Sequence, residues 1–192
     1  PPLKPEEIPY ELPNGWVWIR FGNLTNEIAT GPFGSVIHKN DYIEDGVPLI
    51  NPSHMIDGKI ICDPAISVTE KKAKELESHR LFQDDIVMAR RGEMGRCAIV
   101  DKQSKQFLCG TGSFVLRFIP KVNRKYIVFL FRTESVRSYL GGNSVGTTMT
   151  NLNLGIMNNM SIMLPPVPEQ QRIVAEVDRL MALCDELERQ ID

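Results

Sequence analysis

The sequence predicts an α+β fold: a mixed, mainly antiparallel β globular domain with packed helices, followed by a long C-terminal coiled-coil-type helix. Short apolar runs bounded by Gly, Pro and Asn-Gly turn signals recur between residues 16 and 119, the pattern of short strands. A continuous apolar run at 127–131 lies inside a helical stretch, so that helix is buried on most sides. From Ile173 onward, apolar residues alternate at gaps of four and three, a heptad seam. A chain of 192 residues suffices for one sizeable core, or one core with an appendage.

Residues 1–13, with prolines at 1, 2, 5, 9 and 13, read as an extended linker. They carry neither an initiator Met nor a signal-peptide pattern, so an internal cut from a longer chain is expected. Asn14-Gly15 turns into an aromatic strand at 16–19, and 31–35 form a loop. Strands are expected at 47–50 and 59–62, with Asp57-Gly58 marking a hairpin between them. Residues 69–78 read as a polar helix capped by Thr69. Runs at 86–89 and 97–100 flank Gly92-Glu93-Met94-Gly95 as a β-hairpin, and 107–109 and 113–119 add two strands. Residues 123–140 are helical, 141–148 form a long polar loop, and 160–164 make a closing strand stopped by Pro165-Pro166. Pro168 and Glu169 suit the first turn of the last helix, where a missing N–H and a negative charge are both favourable. The expected organisation is therefore a linker at 1–13, a globular domain at 14–166 and the start of a helix at 167–192.

The net charge of −2 hides a segregation. Residues 1–70 hold 4 basic and 10 acidic side chains, residues 71–132 hold 14 and 6, and residues 133–192 hold 4 and 8. A middle third this basic can present a positive face while the rest stays acidic. A solvated helix accounts for Lys71, Lys72 and Lys74, whereas Arg90, Arg91 and Arg96 crowd around one turn, where a hairpin tip would present three guanidinium groups together. The arginine fork contacts phosphates or reads guanine O6 and N7 in the major groove. The polar 141–151 stretch, with Asn143, Ser144, Thr147, Thr148 and Asn151, offers groups suited to phosphate oxygens, and Lys39 and Lys102 are further basic candidates. The plainer alternatives are a salt bridge from Arg90 to Asp84, Asp85 or Glu93, and a surface loop without a role.

Nothing in the sequence resembles a catalytic centre. Cys62, Cys97, Cys109 and Cys184 are widely spaced and, with His38, His54 and His79, offer no metal-ligand spacing; they read as buried thiols in a reducing cytoplasm, and no metal or cofactor is expected. No Walker-type loop is present. Asp84, Asp85 and Asp101 are conceivable nuclease acids, but Asp84-Asp85 is more simply a turn before a strand. No stretch approaches the ~20 apolar residues needed to cross a bilayer, so no membrane partner is expected. Leu108-Cys109-Gly110-Thr111-Gly112-Ser113-Phe114 resembles the glycine loop with which amino-methyltransferases hold S-adenosylmethionine. The accompanying acidic-Pro-Pro-aromatic or Asn-Pro-Pro-aromatic tetrapeptide has only Asn51-Pro52-Ser53-His54 as its nearest match, without the second proline and the aromatic; a turn between two sheet strands is the simpler reading.

Three segments, in order, carry a family resemblance. Leu12-Pro13-Asn14-Gly15-Trp16 looks like the opening of the recognition domains of type I restriction–modification specificity subunits. The stretch from Leu81 through Asp85-Ile86, Arg90, Gly92 and Gly95 is similar to their L-x-x-x-D-I-hydrophobic-x-x-R-x-G-x-x-G core. Leu164-Pro165-Pro166-Val167-Pro168-Glu169-Gln170-Gln171-Arg172-Ile173-Val174 resembles the L-P-P-x-x-E-Q-x-R-I-V junction that opens their spacer helix. The resemblance implies a non-catalytic target-recognition domain that reads one half of a split double-stranded DNA target. It also implies, as partners, modification subunits that methylate adenine, restriction subunits in the assembled complex, and a second recognition domain with its spacer helix. The partner-helix stripe would be Ile173, Val177, Leu180, Cys184, Leu187 and Ile191. The proline-rich start and the continuing helix lean towards the first of the two domains. Two other classes remain open at this point: an adenine methyltransferase fragment binding S-adenosylmethionine, and a coiled-coil protein-interaction adaptor.

Overall fold

The structure is a computed structural model, and it describes residues 3–32, 36–144 and 151–191. β1 (Val17–Arg20) passes through a 3-10 turn, Phe21–Leu24, into β2 (Thr25–Thr30). β3 (Tyr42–Ile43), β4 (Val47–Ile50), β5 (Met55–Ile56), β6 (Lys59–Ile60) and β7 (Ser67–Val68) precede α1 (Glu70–Glu75). β8 (Ile86–Ala89), β9 (Cys97–Ile99), β10 (Leu108–Cys109) and β11 (Ser113–Phe118) follow, then α2 (Arg124–Arg132), α3 (Glu134–Asn143) and α4 (Leu154–Asn159). β12 (Ser161–Leu164) leads into α5 (Val167–Ile191).

The central sheet, in the order β2-β11-β8-β9, is antiparallel throughout. A second sheet, β10-β4-β7-β3, is mixed, because β10 runs parallel to β4. β1 pairs with β12, and β5 with β6, both antiparallel.

Strand alternation explains how the central sheet is covered on both faces. Phe114, Leu116 and Phe118 of β11, with Ile86 and Met88 of β8, join the α2, α3 and α5 side chains in one core, while Val115 and Val87 face a second core with Ile50 and Cys109. Every position of β8 is buried, so its sequence reads as a continuous apolar run rather than an alternating one. In the larger core, wholly buried Phe21 meets the rings of Phe118 and Phe131 edge-on, with centroids 5.6 and 5.4 Å away. A third cluster packs Ala73 and Leu76 on the α1 side against Leu49, Val68 and Leu108 of the mixed sheet.

Several elements depart from expectation. The Asp57-Gly58 turn joins β5 to β6, with φ of 50° and 79° as a tight two-residue hairpin requires; it does not join 47–50 to 59–62, because β4 is held between β7 and β10. The helix expected over 123–140 is two helices, broken at Thr133, whose backbone is extended (φ −67°, ψ 146°) and whose hydroxyl donates to Leu130 O at 2.7 Å. α3 runs through Gly141 and Gly142 to Asn143, so the polar loop begins later than residue 141. β2 and α4 had no readable signal; α4 is started by Asn153, whose Oδ1 accepts from Ile156 N at 2.9 Å. Cys97 and Cys109 are buried, but Cys62 and Cys184 are exposed.

The 3–13 segment lies against the domain. Arg20 Nη2 donates to both carboxylate oxygens of Glu7 at 2.7 Å, and Trp18 Nε1 donates to Tyr10 O at 3.0 Å. At the other end, α5 has 25 residues, about 37 Å of helix. Its first turns are anchored: the buried Gln170 amide accepts from Asn123 N and donates to Pro165 O, each at 2.9 Å, while Val174 is buried and Ile173 packs against the main core. Beyond Val177, side chains 178–190 are all exposed, including Leu180, Leu183 and Leu187. No helix among the described residues is long and apolar enough to cross a membrane.

Candidate nucleic-acid interface

The β8–β9 turn is shaped by two glycines with left-handed backbones, Gly92 (φ 80°) and Gly95 (φ 83°). A Cβ on Gly95 would sit 2.3 Å from Phe131 O, whereas one on Gly92 would meet nothing within 4 Å. The inner side of the tip is thus clamped on the end of α2, and its outer side is open.

The three arginines around this tip take different paths. Arg90 turns inward: its Nε donates to Leu152 O at 3.3 Å, and its guanidinium lies 5.1 Å from the centre of the Phe114 ring. Burial, then the like charge of Arg91, pushes Arg90 below the ordinary arginine range. Its backbone donates to Gly112 O and accepts from Leu152 N, so Arg90 ties the tip to the 110–113 loop and to Leu152. None of Asp84, Asp85 and Glu93 pairs with it among the described contacts. Arg90, the residue just after β8, is thus committed to Leu152 and Phe114, and all three arginines are half-buried rather than displayed together at the tip. Arg91 lies over Gly112, where its Nε would be 2.5 Å from an added Cβ. Arg96 donates from Nε (3.1 Å) and Nη2 (2.6 Å) to a single oxygen of Glu93, and Nη1 lies 3.5 Å from Pro52 O.

Two clefts adjoin at the 52–54 turn. One, about 430 Å³, is lined by Lys39, Tyr42, Asn51, Pro52, Arg91 and Thr111 among others. The other, about 560 Å³, is lined by Ser53, Asp57, Glu93, Arg96, Arg132 and Arg137 among others. Pro52 borders the first and Ser53 the second, so the basic side chains form one strip along both. Arg137 reaches Glu93 Oε1 at 3.6 Å. The hydrogen bond from Arg96 holds the Glu93 carboxyl below the usual carboxylate range, so the pair persists as the pH falls through that range and opens only below it. Lys39, Arg91 and Arg132 make no ion pair with a carboxylate among the described residues; Lys39 and Arg132 are exposed and Arg91 is half-buried, and Arg132 is near enough to Glu93 to help lower its pKa.

The remaining candidates are dispersed. Lys102 is exposed beyond β9, at the end of the hairpin remote from the tip. Asn143 Nδ2 donates to Tyr139 O and Ser144 Oγ to Gly141 O, so both close the end of α3. Thr147 and Thr148 lie outside the described residues, and Asn151 precedes the Leu152 that meets Arg90. Arg132 and Arg137 escaped the sequence reading because 123–140 read as one helix with no break to turn them toward the tip.

The residues that suggested chemistry have structural duties instead. Gly110 packs where an added Cβ would lie 2.3 Å from Asn51 Oδ1, and a Cβ on Gly31 would lie 2.0 Å from Gly110 O. The close approach that this glycine loop permits is to the protein's own backbone, which removes the ground for a methyltransferase cofactor cradle. Asp85 accepts from Phe82 N at 2.8 Å and from Arg117 Nε at 3.3 Å; burial raises its pKa against those bonds. Asp101 closes its own turn through Ser104 and Gln103. Among the described residues, no group of three His, Cys, Asp or Glu side chains could hold a metal ion.

These features can be set beside known proteins. The type I restriction enzyme EcoKI specificity subunit of Escherichia coli K12 is 27% identical over 180 residues, covering 91% of this chain and 38% of that protein. The StySPI specificity subunit of Salmonella potsdam is 24% identical over 187 residues, covering 95% and 40%. The chain thus spans about two fifths of the length of these relatives. The HsdS subunit from Thermoanaerobacter tengcongensis superposes with a TM-score of 0.67 at 20% identity, over 95% of this chain and 41% of that one. A chain from a structure describing complex assembly and conformational transition of the type I R-M system gives 0.71 at 21% identity, over 95% and 42%. They share the mixed, mainly antiparallel α+β fold. The profile of the "Type I restriction modification DNA specificity domain" matches residues 23–192, and the chain belongs to that family.

Proposed function

We propose that this chain reads one half of a bipartite double-stranded DNA target as a recognition domain of a type I specificity subunit, acting in the cytoplasm and performing no catalysis itself. The observation that carries this reading is the row of cations outside any described ion pair, Lys39, Arg91 and Arg132, along two adjoining clefts. Cations in that setting displace counterions from phosphates and fix the register of a duplex, while neighbouring side chains read base edges. Asn143 and Ser144 at the end of α3, and Asn151 before the Leu152 that meets Arg90, are secondary candidate contacts. Methylation belongs to modification subunits, which flip the target base, and cleavage to restriction subunits that join the assembly.

The apolar stripe of α5 supplies the scaffold. Ile173 and Val177 begin it beside the domain; Leu180, Cys184 and Leu187 continue it uncovered, and Ile191 extends it in sequence. An amphipathic helix with no cover over its distal turns is completed by another helix, here the spacer of a second recognition domain. One short half-site gives little affinity alone, so the isolated chain binds duplex weakly and in a strongly salt-dependent way.

The test exchanges residues 14–166, within a complete modification complex, for the matching segment of a relative with a different target, and sequences the methylated adenines in the host. The expected outcome is a new sequence in one half of the target, with the other half and the spacing retained. An unchanged target would end this reading.

A further inference from the structure

We propose that Arg96 reads a guanine edge in the major groove, with Glu93 as the residue that positions it. This rests on the two basic clefts being the DNA-facing surface, and it adds which of their cations reads a base.

A guanidinium has five N–H donors in one plane. Glu93 takes the Nε donor and one Nη2 donor through the same oxygen, at 3.1 and 2.6 Å. Pro52 O lies 3.5 Å from Nη1, at the outer limit of a hydrogen bond. The donors left over are those at the end of the fork, on Nη1 and the far side of Nη2. Two parallel donors at that edge match guanine O6 and N7; adenine places an amino donor where O6 would be, and clashes.

The fork has a mounting of its own. Glu93 is held on its other oxygen by Arg137 at 3.6 Å, so the carboxylate is braced from both sides. Gly95, just before Arg96, is clamped against Phe131 O, which fixes where the side chain leaves the backbone. The Arg96 side chain is nonetheless 37% accessible, on a hairpin whose outer face is open. Holding the fork before contact removes much of the ordering cost on binding and narrows the geometry it accepts. Lys39, Arg91 and Arg132 have no such brace, which suits them to phosphates, where a mobile charge suffices.

The experiment uses the complete modification complex with Arg96→Lys, Arg96→Ala and Glu93→Gln, read by sequencing methylated adenines in the host and by salt-titrated binding to duplex oligonucleotides. Arg96→Lys keeps the charge and removes the fork. The expected result is relaxation of one guanine position in one half-target, by about 10- to 100-fold in discrimination, with the slope of log affinity against log salt unchanged. Glu93→Gln relaxes the same position by less. Arg132→Ala in the same complex should instead weaken binding to all sequences alike and flatten the slope by about 0.9. If Arg96→Lys leaves the methylation profile intact, or Arg96→Ala only flattens the slope as Arg132→Ala does, Arg96 is a phosphate contact and the assignment falls while the interface stands. If neither Arg96 nor Arg132 affects binding, the interface itself is misplaced.

Discussion

Gly92 and Gly95 share a backbone conformation but not surroundings, and the difference can be measured. Gly92→Ala should cost about 1–2 kcal/mol, the strain of a left-handed L-residue. Gly95→Ala should cost a further ~1–3 kcal/mol, because its Cβ must displace the Phe131 carbonyl that lies 2.3 Å away. Urea unfolding of the two variants checks the order, and equal midpoints would contradict the clamped tip. The thiols separate in the same way. Burial pushes Cys97 and Cys109 up to about 12, so both stay protonated near neutrality and out of reach, while Cys62 and Cys184 are exposed. A thiol-reactive dye at pH 8 should label Cys62 and Cys184 quickly, and the other two only after unfolding. Fast labelling of Cys109 would mean that the core around β10 opens. The sequence pointed to both glycines and to the crowding of Arg90, Arg91 and Arg96, but not to the inward turn of Arg90: that follows from Phe114 and Leu152, distant in sequence and adjacent only once the sheet forms.

Among the elements, α5 was the most legible, since a heptad pattern is local and needs no knowledge of partners. Where the helix leaves the domain was not legible, because Ile173 and Leu187 look alike in sequence while one touches the core and the other is exposed. Val174→Ala should therefore lower the stability of this chain by about 1–3 kcal/mol, and Leu187→Ala should change it by no more than about 0.5 kcal/mol. A thermal or urea melt decides; equal losses would mean that the distal turns of α5 are covered. The β8–β9 hairpin was also readable, as its two apolar runs and Gly-bounded turn are contiguous. The partners of β4 were not: β7 and β10 lie far along the chain, and apolar runs do not record which strand they meet. The α2–α3 break was masked by the continuous apolar run before Thr133.

At the scale of the whole molecule, counting charge along the chain exposed the basic middle third, and folding then redistributed it. Arg90 turned toward Leu152 and Phe114, Lys102 to the remote end of the hairpin, and Arg117 into pairs with Glu27 and Asp85. Lys39, from the acidic first third, and Arg137, from the acidic last third, joined the strip instead. A linear count cannot reveal such exchanges, because they depend on which loops share one end of the sheets. What remains is a strip in which three cations from three separate segments lie outside any described ion pair. The direct measurement is duplex binding by the complete modification complex across a salt series, comparing the unaltered chain with Lys39→Ala/Arg91→Ala/Arg132→Ala. At about 0.9 per phosphate contact, the slope of log affinity against log salt should flatten by about 2–3 with the complex still assembled. An unchanged slope in an intact complex would show that the duplex lies elsewhere on the domain.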